Sequence, residues 1–266
     1  MTRKKFLKLC SSVGLGIFFS PFVKAKEKLM SIIKKLPKEN MYTSNLGWLE
    51  SRFHFSFADY YDSENMNFGV LRVLNDDIIH PKGGFPTHPH KDMEIISYIV
   101  KGEITHQDSM GNSEYLKRGE VQYMSAGTGI QHSEFNMHKS EDLRLLQIWI
   151  LPQKYGVSPI YGSHLYKENE RKNKLLNIVS SQEGEAKVKI HQDINIYVSK
   201  LTNNKILKYS IKQNRQIYFV QIEGKSFVNG EELTDGDALT IIDDISLNIR
   251  ALSESHFLFI ELGFTC

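Results

Sequence analysis

The chain predicts an all-β fold built twice over, and three observations predict it. Short β-rich segments follow one another, cut by glycine turns at near-regular spacing, which is the signature of barrels and sandwiches. The second half repeats the punctuation of the first: Ile222-Glu223-Gly224-Lys225 matches Val100-Lys101-Gly102-Glu103, and Gly236-Asp237 matches Gly119-Glu120. Residues that carry chemistry crowd into the first half, between Gly83 and Asn136.

Taken in order, the N-terminus reads as a leader over residues 1–25. Arg3, Lys4, Lys5 and Lys8 precede an apolar run from Leu9 to Phe22. That run, about 14 residues, is short of the ~20 needed to span a bilayer. Its order is that of a secretory signal, and Thr2 to Lys8 looks like a twin-arginine leader with Lys4 in the second position. Export to the periplasm is therefore expected, with a cytoplasmic location as the alternative. Residues 26–45 form a lysine-rich linker, with a short helix ending at Pro37.

A first domain is expected over residues 46–166. Arg52, His54 and Ser56 alternate with Phe53, Phe55 and Phe57, the period-2 signal of a strand. Phe68 to Leu74 is a second strand, closed by Asn75-Asp76-Asp77 as a turn. Met93 to Val100, Val121 to Met124 and Leu143 to Leu151 follow as strands. The polar stretch after Gln153, with its charged run Lys167 to Lys174, connects the halves, the link proper falling at 167–176. Strands resume over residues 177–266: Ala186 to His191, Ile194 to Leu201, Ile206 to Ile211, Ile217 to Ile222, Leu239 to Ile242 and Phe257 to Leu262.

The spacing of the histidines carries the functional reading. In a strand, residues two apart face the same side. His88 and His90 can thus aim at one point, and His132 and Glu134 at the same point from a second strand. Three imidazoles and a carboxylate suit a first-row divalent ion. Glu94 shares strand parity with His90 and is the alternative ligand, or else a residue supporting the ligands. Phe85 and Phe135 flank the ligand pairs and are candidate walls for a flat substrate. His106 and Asn136 are further pocket candidates. In the second half, counting from the matched glycines, His88, His90 and Glu94 fall on Ser210, Lys212 and Gln216, and His132 and Glu134 on Ile249 and Ala251. The second half is expected to hold no metal.

The segments THPHKDMEIISY, HQDSMGN and MSAGTGIQHSEFN resemble the pirin family, and within it the bacterial pirin-like quercetin dioxygenases. The flanks GWLESRFHFSFADYYD, GVLRVLNDD and LQIWILP agree, and the resemblance runs from about Leu46 to the C-terminus. It implies a bicupin, two tandem jelly-roll-like cupin barrels with the metal in the first. It favours His88, His90, His132 and Glu134 as ligands, with Glu134 also a candidate base. It implies one divalent ion per chain, Fe²⁺ first, with Ni, Cu, Mn, Co or Zn as alternatives. The implied activity is cleavage of a flavonol such as quercetin, or a related catechol-like compound, with O₂. The alternative is a non-catalytic metal- or redox-sensing pirin that binds protein partners, and a weaker one is a cupin isomerase or storage barrel.

Composition excludes other classes. A net charge of +2 gives no electrostatic footprint for nucleic acid. The two cysteines, Cys10 and Cys266, support neither a disulfide framework nor a thiolate metal site. A monomer without a stable membrane span is expected.

Overall fold

A computed structural model describes residues 31–264, so the leader and both cysteines lie outside the described residues. The first half contains β1 (Ile32–Leu36), β2 (Tyr42–Asn45), β3 (Leu49–Phe53), β4 (Leu71–Ile79), β5 (Gly84–His90), β6 (Glu94–Lys101), β7 (Glu103–Asp108), β8 (Ser113–Lys117), β9 (Glu120–Ser125), β10 (Ile130–Phe135), β11 (Leu143–Ile150) and β12 (Ile160–Leu165). After a single turn of helix, α1 (Glu168–Arg171), come β13 (Leu176–Ser181), β14 (Val188–Ile190), β15 (Ile194–Leu201), β16 (Ile206–Ser210), β17 (Arg215–Glu223), β18 (Lys225–Val228), β19 (Glu231–Thr234), β20 (Ala238–Ile242), β21 (Ser246–Ala251) and β22 (Ser255–Gly263).

Each barrel joins a seven-stranded sheet to a four-stranded one. The first has the orders β12-β9-β6-β11-β4-β3-β2 and β5-β10-β7-β8. The second has β1-β20-β17-β22-β15-β13-β14 and β16-β21-β18-β19. The matched glycines have matched backbones: φ is 77° at Gly102 and 76° at Gly224, and 89° at Gly119 and 86° at Gly236. These left-handed values favour glycine, which is why this punctuation persists in both halves.

The two large sheets face each other. Alternate residues of β6 and β11 (Ile96, Tyr98, Leu146, Ile148) pack against Tyr218, Val220, Leu258 and Ile260 of β17 and β22 in one continuous apolar core. Strands covered on both faces read as unbroken hydrophobic runs rather than alternating ones. The sequence of β6, EIISYIVK, has that form, and all but its last residue are buried.

Four expectations need correction. The linker helix before Pro37 is instead the strand β1, followed by one 3-10 turn at Lys38–Asn40. It pairs antiparallel with β20 of the second barrel, from Ile32↔Ile242 to Leu36↔Ala238. Pairing with β20 thus overrides the helix propensity of its lysines. Asn75-Asp76-Asp77 is no turn; it lies inside β4, with all three residues buried. The expected strand through Phe57 stops at Phe53, and its buried continuation follows an irregular path. The polar stretch after Gln153 contains β12, which pairs with β9 and extends the first sheet.

The repeat also aligns differently. His132 pairs with His88 and Ile130 with His90, while Ile249 pairs with Leu207 and Leu247 with Tyr209. Ser210 and Lys212, which counting matches to His88 and His90, are therefore not the residues opposite Ile249 and Leu247. The connection from β16 to β17 is longer than that from β5 to β6, so counting from the glycine misplaces the strand. Leu207, Leu247, Ile249, Phe219, Phe257 and Phe259 belong to the apolar filling of the second barrel.

Candidate metal centre

The first barrel is filled in layers. One end is apolar: Leu49, Ile79, Ile99, Ile104, Leu116, Leu143 and Leu145. The middle is polar, with Asn75, Asp77, Ser97, Gln122, Glu134 and Gln147 all buried. Toward the other end, His88 and His90 of β5 meet His132 of β10. Their ring centroids are 4.5–4.9 Å apart, and the Nε2 atoms of His88 and His132 are 3.1 Å apart. A register shift between His132 and Glu134 breaks the β10–β5 ladder. Such bulges re-aim side chains next to sites.

Two of the imidazoles are held neutral, and the third is oriented by its backbone partner. His88 Nδ1 donates to the Pro86 carbonyl at 2.8 Å, since a carbonyl only accepts, which leaves Nε2 with its lone pair. Burial, then the neighbouring His132 and His88, lowers the His90 pKa to about 4. Burial, then His88 and His106, lowers that of His132 to about 3. Both rings are neutral at pH 7.

Glu134 is buried one step deeper. Its Oε1 accepts from Gln122 Nε2 at 2.8 Å and its Oε2 from Gln147 Nε2 at 3.1 Å, while Ser97 Oγ donates to Gln147 Oε1 at 3.0 Å and so orients that amide. Both donors are neutral amides. Among the described residues Glu134 forms no salt bridge, so this carboxylate has the electrostatic need of a nearby cation. His106 adds a further nitrogen. Its Nε2 donates to Asp108 at 3.2 Å, and its Nδ1 is buried without a partner. Two groups have ligand atoms within 4.8 Å of one another: His88, His90 and His132, and His106, His132 and Glu134. Donor chemistry, protonation and the uncompensated carboxylate all fit a divalent metal.

Glu94 belongs to neither group. Residues 94, 96, 98 and 100 of β6 face the second barrel, whereas Ser97 faces inward to Glu134. Glu94 instead accepts from Ser125 Oγ at 3.0 Å, and burial raises its pKa. Strand parity with His90 could not reveal this, because β5 and β6 lie in different sheets. Phe85 stands by the histidines, 6.2 Å from the His88 ring and edge-on to Trp48. Phe135 points to the opposite face of β10 from His132 and packs over Gly84, so it is not a pocket wall. Asn136 is not a pocket residue either. Its amide donates to the carbonyls of Ile79 and Glu141 and its Oδ1 accepts from His138 N, which pins the chain after β10. His106 is fully buried behind His132, stacked on Tyr161 at 4.2 Å, rather than lining an open pocket.

Several residues of the centre escaped the sequence reading. Trp149 stands edge-on to His90 at 4.9 Å. Gln122 and Gln147 hold Glu134, and Ser97 orients Gln147. The available signal was polarity out of place: a glutamine within each of the apolar strands β9 and β11. Asp77 is a third case. Burial raises its pKa to about 7, against a lowering hydrogen bond from Ser51, with Asp76 and Glu134 adding to the rise.

Comparison with known proteins agrees with this architecture. The Pirin family matches residues 35–150, and the "Quercetinase C-terminal cupin domain" matches residues 177–262. A quercetin 2,3-dioxygenase of Escherichia coli (strain K12) is 42% identical over 219 residues, covering 82% of this chain and 94% of that protein. A pirin-like protein of Caulobacter vibrioides is 39% identical over 231 residues, covering 86% and 99%. The crystal structure of the bacterial pirin YhhW from Escherichia coli in complex with nickel(II) superposes with a TM-score of 0.83 at 38% identity, covering 88% of this chain and 100% of that one. With its two cupin barrels and its cluster of histidines and glutamate suited to a divalent metal, the chain belongs to the pirin family.

Proposed function

We propose that this pirin is a metal-dependent dioxygenase that cleaves a flavonol or related catechol-like substrate with O₂, quercetin being the first compound to test. The observation that carries the reading is the convergence of three imidazoles beside a buried carboxylate lacking a cationic partner. His88, His90, His132 and Glu134 would hold one divalent ion, Fe²⁺ first. When bound, the ion would supply Lewis acidity toward the adjacent hydroxyl and keto oxygens of a flavonol.

The chain's own residues do the rest. The Pro86 carbonyl and the ring packing of Trp149 fix the orientation of His88 and His90. Gln122 and Gln147 hold the Glu134 carboxylate in place, where it can take a substrate hydroxyl proton that comes within hydrogen-bond reach. Phe85 and Trp149 offer aromatic edges beside the histidines for a flat ring. The leader, residues 1–25, would direct export; a tagged chain recovered intact from the cytosol would count against that.

The deciding experiment is oxygen uptake on adding quercetin to protein reconstituted anaerobically with Fe²⁺, with His132→Ala as control. Uptake with carbon monoxide release by the wild type alone supports the reading. No uptake with Fe²⁺, Ni²⁺, Mn²⁺, Co²⁺ or Cu²⁺ bound would replace it with a metal-sensing protein that acts through partners.

A further inference from the structure

A cavity lies away from the metal centre, between the barrels. It encloses about 410 Å³ and is lined by β1 and the turn after it, by Phe53, His54 and Tyr60 of the first barrel and by Tyr218 of the second. That volume falls within the range of small-molecule pockets, roughly 300–1,000 Å³. One wall is a row of near-parallel rings. Tyr42 stacks on Tyr60 at 4.8 Å and 9°, and on Phe53 at 5.8 Å and 16°.

Its polar end has a donor to spare. His54 and Tyr218 are both buried and share one hydrogen bond, Nδ1 to phenol oxygen, at 2.9 Å. Burial lowers the His54 pKa to about 4 and raises that of Tyr218, so both are neutral at pH 7. A neutral imidazole carries one N–H and a phenol one O–H. One hydrogen bond uses one of these two hydrogens, whichever tautomer is present. The other has no protein acceptor among the described residues. Both residues line the cavity, so this donor is available to a guest large enough to fill it. The rim charges offset each other, Lys34 and Lys35 against Asp62 and Glu64. The site therefore favours a neutral guest over an acid.

We propose that this cavity is a second ligand site, for a neutral planar aromatic compound whose carbonyl accepts the spare hydrogen of the His54–Tyr218 pair while its ring lies against Tyr42 and Tyr60. The ligand would touch both barrels, and its binding requires no metal. The other cavity between the barrels, about 420 Å³, offers less, because the guanidinium of Arg144 there is already bidentate on Asp76.

The test is a fluorescence titration of the full chain with 7-methoxycoumarin, which is neutral, planar and carries one carbonyl acceptor. Saturable binding of one molecule per chain is expected, unchanged in His132→Ala. The double variant His54→Phe/Tyr218→Phe removes both donors, and because it replaces both partners it need not cost much stability. It should weaken binding at least about tenfold. Tyr60→Ala, at the half-buried rim, should also weaken it and decides the matter if the double variant does not fold. Absence of saturable binding, full affinity in the variants, or loss of binding in His132→Ala would each overturn the proposal. Because the readout is binding rather than oxygen uptake, failure of the dioxygenase reading would not produce any of these results.

Discussion

Tyr98 of the first barrel hydrogen-bonds His256 of the second at 2.9 Å, with the donor fixed by what lies behind. His256 Nδ1 contacts the Glu223 carboxylate at 2.9 Å and must donate to it, so Nε2 accepts from the Tyr98 hydroxyl. Arg118 closes the chain by gripping Glu223 at 2.7 and 3.2 Å. Across the same interface, His54 and Tyr218 form the reverse bond, histidine from the first barrel and tyrosine from the second. The apolar core between the sheets is thus pinned by two tyrosine–histidine pairs of opposite sense.

Tyr98→Phe should destabilise the protein by roughly 1–3 kcal/mol, the cost of leaving the buried His256 Nε2 without a partner. Urea denaturation at pH 7 checks this, and an unchanged midpoint would mean that His256 finds another partner.

Metal content should separate the two glutamates. Glu134→Gln should lose most of the bound ion, and Glu94→Gln should retain it, because Glu94 faces the second barrel. Elemental analysis after dialysis against metal-free buffer provides the measurement.

The residues that hold Glu134 should matter nearly as much as the ligands. Gln122→Leu or Gln147→Leu should weaken metal affinity by about 10–100-fold. Competition with a chromophoric chelator reads this directly, without any assay of turnover.

Asp77 sets a pH dependence. Its folded pKa, about 7, stands above the ordinary 3.8, so the folded state binds more protons between those values. Stability therefore falls as pH rises through that window, and the full cost is present above about 7. Asp77→Asn should stabilise metal-free protein at pH 8 by roughly 1–3 kcal/mol and by much less at pH 4.5. An equal effect at both pH values would exclude titration as the cause.

Removing residues 1–36 should unfold or aggregate the second barrel, because β20 would lose its β1 partner and become an open edge. Removing only residues 1–25 leaves β1 intact and should be tolerated. Thermal melts of the two truncations test the contrast.

The fold and the histidine cluster were legible because both depend on local rules. Glycines with φ near 77° mark equivalent turns, and period 2 places His88 beside His90. What escaped depended on partners distant in the chain. Nothing near Ile32–Leu36 reveals that β20 awaits it. No spacing rule orients β6 relative to β5, so Glu94 and Glu134 could not be separated by geometry until the sheets were known. Gln122 and Gln147 were visible as oddities, but their shared partner, Glu134, was not.

The clasp formed by β1 also bears on synthesis. Lys38 N–H bonds to Asp237 across 199 positions, and β1 seals the same strand neighbourhood. The first described strand to leave the ribosome thus completes its pairing only when nearly the whole chain has been made. Until then it waits as an unpaired edge. Non-local closure of this kind slows folding, so a holdase that shields β1 during synthesis should raise the yield of folded chain more than one that shields the interior strands.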